Sequence, residues 1–241
     1  MKNFWKIVND VIRQADILLL LLDARLVDET RNKEVEDKVR VEGKPLIYVV
    51  TKSDLVGKEE AEKYKKILKP CVFVSAKEFL GTTKLRERIL IEAKVKEPKV
   101  GVLGYPNVGK SSLINAMKGK HSASTSSLSG HTKGVQMIRA DSRIIFLDTP
   151  GVIPYKEKDE IKHIMIGTID YNKVKEPDLV VMELMERFPG KIEERFGAAV
   201  KDDKEETIEE IARNRNILKR KGELDIQRTS RMILKEWQNE M

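Results

Sequence analysis

Gly104-x4-Gly109-Lys110-Ser111 stands near the middle of the chain, with an apolar run at 100–104 leading into it and a helical pattern at 112–117 behind it. Strand, glycine turn and helix N-terminus in that order let successive backbone N–H groups, here those of Asn107, Val108, Gly109, Lys110, Ser111 and Ser112, face an anion. Lys110 is expected to reach the β- and γ-phosphates of a nucleotide, and Ser111 to ligate Mg2+. Such a loop works only at the end of a parallel strand, so the chain must build a sheet around it.

The rest of the sequence supplies that sheet. Short apolar runs alternate with amphipathic stretches, the pattern of parallel strands covered by helices. Strands are predicted at 17–22, 46–51, 72–75, 100–104, 135–140 and 144–148, and helices at 4–14, 31–42, 58–68, 83–95 and 110–118. Asp141-Ser142 reads as a tight hairpin turn that gives the sheet one antiparallel edge. Residues 119–134 are small, polar and aperiodic, the composition of a mobile loop. After Pro154 strands give way to helical patterns at 157–167, 178–187, 190–196, 205–220 and 224–239. The expected architecture is therefore α/β: a P-loop sheet covered by helices over 1–155, with a small all-helical C-terminal domain over 156–241.

Three further motifs fall at strand ends. Asp148-Thr149-Pro150-Gly151 offers a carboxylate that can hold Mg2+ through water and a Gly151 N–H that can meet a γ-phosphate. In Thr51-Lys52-Ser53-Asp54, Asp54 can accept two hydrogen bonds from the guanine N1–H and exocyclic amine, a pair adenine does not offer. Lys52 would lay its stem over the purine, and Ser75-Ala76-Lys77 would present a backbone N–H to guanine O6. The base-reading segments precede the phosphate-binding ones, the reverse of an ordinary small GTPase, so the order implies a circularly permuted GTP-binding domain. The base motif begins with Thr51 where Asn is usual, and a shorter hydroxyl offers fewer bonds, which predicts weaker guanine affinity with the choice of base retained.

Composition sets bounds on partners. The net charge is +7 over 241 residues, and residues 1–155 carry 28 Lys/Arg against 19 Asp/Glu while 156–241 carry 18 against 20. The basic excess sits with the nucleotide domain and suits a phosphate-rich partner. Cys71 is the one cysteine, so no internal disulfide forms. No apolar run nears the roughly 20 residues of a membrane span, and the start lacks a signal-peptide core, so a soluble, cytoplasmic protein with no membrane partner is expected. Charged residues at 35%, with few Cys and His, suit a heat-adapted source.

Taken together the motifs resemble the circularly permuted GTPases of the ribosome-assembly type, the YlqF/YawG family, over nearly the whole chain. Asp23-Ala24-Arg25 followed by Arg31-Asn32, the run from Gly104 to Asn115, Gly130-His131-Thr132-Lys133-Gly134, and Gly222-Glu223-Leu224-Asp225 with the helix through Trp237 carry the resemblance. It implies that Thr132, in the first switch, is a second Mg2+ ligand, and that K+ held partly by Asn107 supplies positive charge between the phosphates. The catalytic set is then Lys110, Thr132, Gly151 and Asn107. Val152 stands where many GTPases carry a water-orienting Gln, which predicts slow basal turnover, stimulated by K+ and by a ribosomal partner. His131 is read as a solvated loop residue.

The implied function is a GTP-hydrolysing assembly factor acting on ribosomal RNA or a large-subunit precursor, as a monomer and without DNA. Its RNA contacts are expected along 213–221 with Arg228, Arg231 and Lys235. The connection at 151–156 would link the second switch to the helical domain as a hinge. Two alternatives stand beside this reading: a GTP-sensing module for another RNA or protein partner with incidental hydrolysis, and an ATPase in which Asp54 is idle.

Overall fold

A computed structural model describes residues 2–118, 135–140, 142–151 and 159–239. The chain divides into two compact units, residues 1–157 and 158–241.

The first unit is a six-stranded sheet. Its strands are β1 (Ile17–Asp23), β2 (Leu46–Thr51), β3 (Cys71–Phe73), β4 (Lys99–Leu103), β5 (Gln136–Arg139) and β6 (Ile145–Asp148), in the order β3-β2-β1-β4-β6-β5. All neighbours run parallel except β5 and β6, which pair antiparallel with Gln136 opposite Asp148. The predicted antiparallel edge is therefore present, although Asp141 of its turn lies outside the described residues. β1 is buried along its whole length, as a central strand covered on both faces must be, and this is why it reads Ile-Leu-Leu-Leu-Leu-Leu rather than alternating.

Helix α1 (Lys2–Gln14) precedes the sheet and buries Val8, Val11 and Ile12, spaced to form one stripe, with Ala15 just beyond its end. They join Leu18, Leu20 and Leu22 of β1 in one core, each aliphatic side chain there stabilising the fold by about 1.5–3 kcal/mol. Gly101 makes this approach possible: a Cβ there would lie 2.5 Å from Leu18 Cδ1 and 2.9 Å from Val11 Cγ1. Between β1 and β2 the chain forms α2 (Val27–Thr30) and α3 (Lys33–Val41). The predicted single helix at 31–42 starts later because the Asn32 side chain accepts from Val35 N and caps α3. α4 (Lys58–Ile67) and α5 (Thr82–Ala93) flank β3, and α6 (Lys110–Lys118) follows β4.

The second unit holds only helices among its described residues: α7 (Glu160–Met165), α8 (Pro177–Arg187), α9 (Lys191–Phe196), α10 (Lys204–Asn214) and α11 (Ile226–Asn239), with a 3-10 turn at Tyr171–Lys173. Trp237, 2% exposed, packs its ring 5.1 Å from that of Phe188 and donates Nε1 to Met165 O at 3.0 Å. Asp225 accepts from Arg228 N and Gly222 sits at φ 83°, so this segment starts α11. The predicted helix over 205–220 overran: α10 stops at Asn214, Asn216 takes a left-handed φ of 52°, and Leu218 bridges back to Leu224.

Among the described residues no helix is long and apolar enough to cross a membrane.

Candidate functional site

The Asp23–Arg25, Thr51–Asp54, Ser75–Lys77, Gly104–Ser111 and Asp148–Gly151 motifs lie at the same edge of the sheet, just beyond the carboxyl ends of β1, β2, β3, β4 and β6, where α/β sheets bind ligands; Gly130–Gly134 lies outside the described residues and Gly222–Asp225 belongs to the helical unit.

The loop after β4 is tightly held. Asn107 adopts φ 63° at its exposed crest and Gly109 φ 92° before α6 begins at Lys110. Lys110 is folded inward, 8% exposed, and donates Nζ to Gly104 O at 3.0 Å and Tyr105 O at 2.6 Å. Burial pushes its pKa down to about 8, against the pull of the Asp148 charge. Burial also raises the pKa of Asp148, opposed by the Lys110 ammonium and the Thr149 N–H. Asp148 Oδ1 is buried with no hydrogen-bond partner among the described residues, a bare carboxylate oxygen beside the loop. Ser111 and Ser112 open the first turn of α6 and are exposed.

Gly151 packs directly on this loop: a Cβ added there would come within 2.5 Å of Pro106 N and 2.6 Å of Pro106 Cα. Only glycine allows the two backbones to pass so closely. Thr149 is anchored by donating Oγ1 to Val102 O at 2.7 Å.

The segment after β2 reaches the loop through Thr51. Its buried hydroxyl lies 2.6 Å from Val108 O and 2.9 Å from Leu22 O, and shares its proton between the two carbonyls. Short as it is beside an Asn side chain, the Thr51 hydroxyl reaches the phosphate-type loop. Lys52 takes a left-handed φ of 54°, and Asp54 follows in a one-turn 3-10 helix, Ser53–Leu55, with its side chain exposed. Ser53 N donates to Val74 O, tying this turn to the end of β3. There Ser75 N and O pair with Leu80 O and N, closing a loop that carries half-buried Ala76 and exposed Lys77.

Asp23-Ala24-Arg25, which in the sequence carries only the family resemblance, has a structural role. Asp23 is 4% exposed and its carboxylate accepts from Arg25 Nε at 2.9 Å, Arg25 Nη2 at 2.7 Å and Lys52 Nζ at 2.6 Å. Burial alone would raise its pKa, but the Arg25 hydrogen bonds and the Lys52 and Arg25 charges outweigh it and hold the carboxyl at about 2. Burial likewise lowers the Lys52 pKa, against the attraction of Asp23. A second clamp lies outside the site: Arg31 grips Glu36 at 2.7 and 2.9 Å, and Tyr48 OH donates to the same carboxylate.

Thr132, His131 and Val152 lie outside the described residues, as does most of the proposed hinge. Of the basic residues expected to meet RNA, Arg213 is bound to Glu209 at 2.7 Å, Arg215 lies over the Phe196 ring, and Arg231 donates to Val174 O. Lys219, Arg220 and Lys221 occupy an exposed turn.

A glycine loop after β4, a carboxylate at the end of β6 and a base-type motif after a strand that comes earlier in the chain define a circularly permuted P-loop sheet. Comparison with known proteins agrees. The model of the 50S ribosome-binding GTPase family matches residues 99–221, and that of the RsgA GTPase matches 36–156. A GTP-binding protein of Methanocaldococcus jannaschii is 43% identical over 97% of this chain and 64% of its own length. Nucleolar GTP-binding protein 2 of Saccharomyces cerevisiae is 32% identical over 98% of this chain and 51% of its own. The chain thus spans less than two thirds of either relative. The crystal structure of GNP-bound YlqF from T. maritima superimposes with a TM-score of 0.68 at 23% identity, covering 97% of this chain and 92% of that one, a likeness of fold. The chain belongs to the 50S ribosome-binding GTPase family, with the circularly permuted, YlqF-like fold.

Proposed function

We propose that the chain binds GTP as its Mg2+ complex, hydrolyses it to GDP and phosphate, and acts as a nucleotide-controlled factor in ribosome assembly. The observation that carries this reading is the bond from Thr51 Oγ1 to Val108 O, which joins a guanine-type loop to a phosphate-type loop across the sheet. Asp54, Lys52 and Ser75-Ala76-Lys77 then serve the base, while the loop N–H groups from Asn107 to Ser112 and the Lys110 ammonium serve the phosphates. The bare Asp148 oxygen and the exposed Ser111 hydroxyl suit a hydrated Mg2+, whose part is to offset charge on the phosphates. In that arrangement Lys110 would exchange its two backbone carbonyls for phosphate oxygens, and the Gly151 N–H would meet the γ-phosphate. Asn107 at the loop crest, with Thr132, is assigned the K+ and switch roles, and the Val at 152 leaves basal turnover slow.

The family's name and the nucleolar relative support a partner in the large ribosomal subunit or its precursor, and the Methanocaldococcus jannaschii relative supports a cytoplasmic setting. The exposed Lys219-Arg220-Lys221 turn supports an RNA contact from the helical unit. GTP turnover measured with and without purified large subunits, in K+ and in Na+ buffer, tests the whole reading. Stimulation by subunits and by K+ is expected; turnover indifferent to both would remove the switch role. Titration with labelled GDP, against Asp54→Asn, tests the pocket itself.

A further inference from the structure

The net charge is unevenly divided between the two units. Residues 1–157 carry 29 Lys/Arg against 20 Asp/Glu, while 158–241 carry 17 against 19. Much of the helical unit's basic charge is answered within the unit: Arg187 by Glu183, Arg195 by Glu236, Lys201 by Glu210 and Arg213 by Glu209. The surplus belongs to the nucleotide-binding unit, and Lys52 and Lys110 account for little of it.

Part of it lines a groove of about 520 Å3 along the outer edge of the sheet, between α4 and α5. Among the described residues β3 is the end strand and pairs with β2 alone, so its other edge, Cys71–Val72, forms the floor. Lys65 and Lys69 stand on one wall; Lys84, Arg88 and Ile91, spaced four and three residues apart on α5, stand on the other. Glu87 is the one acid in the lining. Lys65 and Arg88 have partners outside the groove, Glu62 and Glu92, in solvent-facing helix pairs of the kind worth little. Lys69 and Lys84 have no ion pair among the described residues.

We infer that this groove is an RNA-binding surface, which takes the phosphate backbone of a single RNA strand between the two rows of cations. Three features favour that occupant. The cations face each other across a cleft, whereas a membrane surface would be met by a flat or convex patch. β3 is three residues long and follows Pro70, too short an edge for an acidic peptide to add as a strand. The volume is that of a site for a drug-sized ligand, enough for a nucleotide or two but not for a duplex. The inference rests on the RNA partner proposed above and adds a second contact surface, on the nucleotide-binding unit itself.

The test is binding of a labelled 20-nucleotide single-stranded RNA between 50 and 300 mM salt, for the wild type and for Lys69→Glu/Lys84→Glu. Both lysines are exposed, and neither belongs to the nucleotide site, so GDP affinity should stay within about twofold as a check on folding. The expected result is at least a tenfold loss of RNA affinity. The salt slope should shrink by about 1.4, at about 0.7 for each phosphate contact removed from a single strand. The same loss should appear in a Lys219→Glu/Arg220→Glu/Lys221→Glu background, and Lys69→Gln/Lys84→Gln should give a smaller loss of the same sign. Unchanged affinity and slope in Lys69→Glu/Lys84→Glu would overturn the inference, as would capture of the wild type by anionic vesicles with no RNA binding. Co-sedimentation with large ribosomal subunits separates the two readings. If wild type and variant sediment equally, the groove is wrong and the ribosomal reading stands; if the wild type binds RNA through the groove but never sediments, the reverse holds.

Discussion

Asp23→Asn removes one charge and changes almost nothing else in shape, so it isolates the electrostatics that hold the base-side loop. In the wild type the carboxylate is buried and shared by Arg25 and Lys52. Its pKa falls from 3.8 to about 2, which corresponds to about 2 kcal/mol of folding free energy at neutral pH, at about 1.4 kcal/mol per tenfold change in proton affinity. Removing one member of a buried ion pair costs about 3–5 kcal/mol when the other is left stranded. Arg25, with its side chain 5% exposed, is stranded; Lys52, at 27%, can turn to solvent, so the lower figure applies. At about 2–4 °C per kcal/mol for a domain of this size, the nucleotide-binding unit should melt about 6–12 °C lower. The pH dependence has a defined sign. A depressed carboxylate stabilises fully above its unfolded pKa and loses that contribution as pH falls through its folded one. The gap between wild type and variant should therefore be constant above pH 5 and close between pH 4 and 2. Urea unfolding followed from pH 7 to pH 3 measures it. A gap below about 0.5 kcal/mol at pH 7, or one that does not narrow in acid, would refute the argument.

Thr51→Ala deletes a hydroxyl shared by two buried carbonyls and should cost about 1–3 kcal/mol, read by urea unfolding, with GDP affinity reduced about tenfold in a fluorescence titration. Gly151→Ala cannot be accommodated against Pro106 without a backbone shift, so single-turnover GTP hydrolysis should fall at least tenfold while GDP affinity changes less than threefold; equal losses in both would argue against a γ-phosphate role. Lys110, at a pKa of about 8 before ligand binds, must be charged to hold phosphates, so the GDP Kd should rise by up to tenfold per pH unit above 8, and a Kd flat from pH 7 to 9.5 would contradict this. Because the unfolded lysine keeps its proton up to 10.5, Lys110 also makes the free protein gain stability as pH rises from 8 to 10.5, which unfolding at those two pH values can detect.

How much of this was legible depended on whether the signal was local. β1 and β2 could be read to within a residue because strands buried on both faces are written in runs of aliphatic residues. The glycine loop was legible because its spacing and flanking elements are fixed by one local geometry. The overrun of α10 has a local cause as well: Arg213–Lys219 is rich in good helix formers, and the signal that ends the helix is the single residue Asn216, a residue type prone to the left-handed conformation that here turns the chain back. The Asp23–Lys52 pair joins residues 29 apart, and the Thr51–Val108 bond joins residues 57 apart. Neither leaves a periodic trace, so a single sequence could present Thr51 only as an anomaly and Asp23 only as part of a familiar tripeptide.

Permutation changes the order in which these groups are made without changing where they end up, because the sheet stores neighbours by hydrogen bonding and not by chain order. β1 and β4 are adjacent, with Leu20 opposite Leu103, yet some 80 residues separate them in the chain. The loops that follow them and β2 must therefore be brought together by the β1–β4 ladder and locked by contacts that cross it. Thr51 to Val108 is such a lock, and Lys52 to Asp23 fixes the base-side loop to the strand that borders β4. A chain whose phosphate loop forms late has an additional reason to hold its base loop rigid beforehand: each rotamer fixed in advance is entropy that nucleotide binding does not have to supply. On this argument Asp23 and Thr51 act as organisers of a pocket whose two halves are joined by no nearby stretch of chain, and loosening either should weaken GDP and GTP alike.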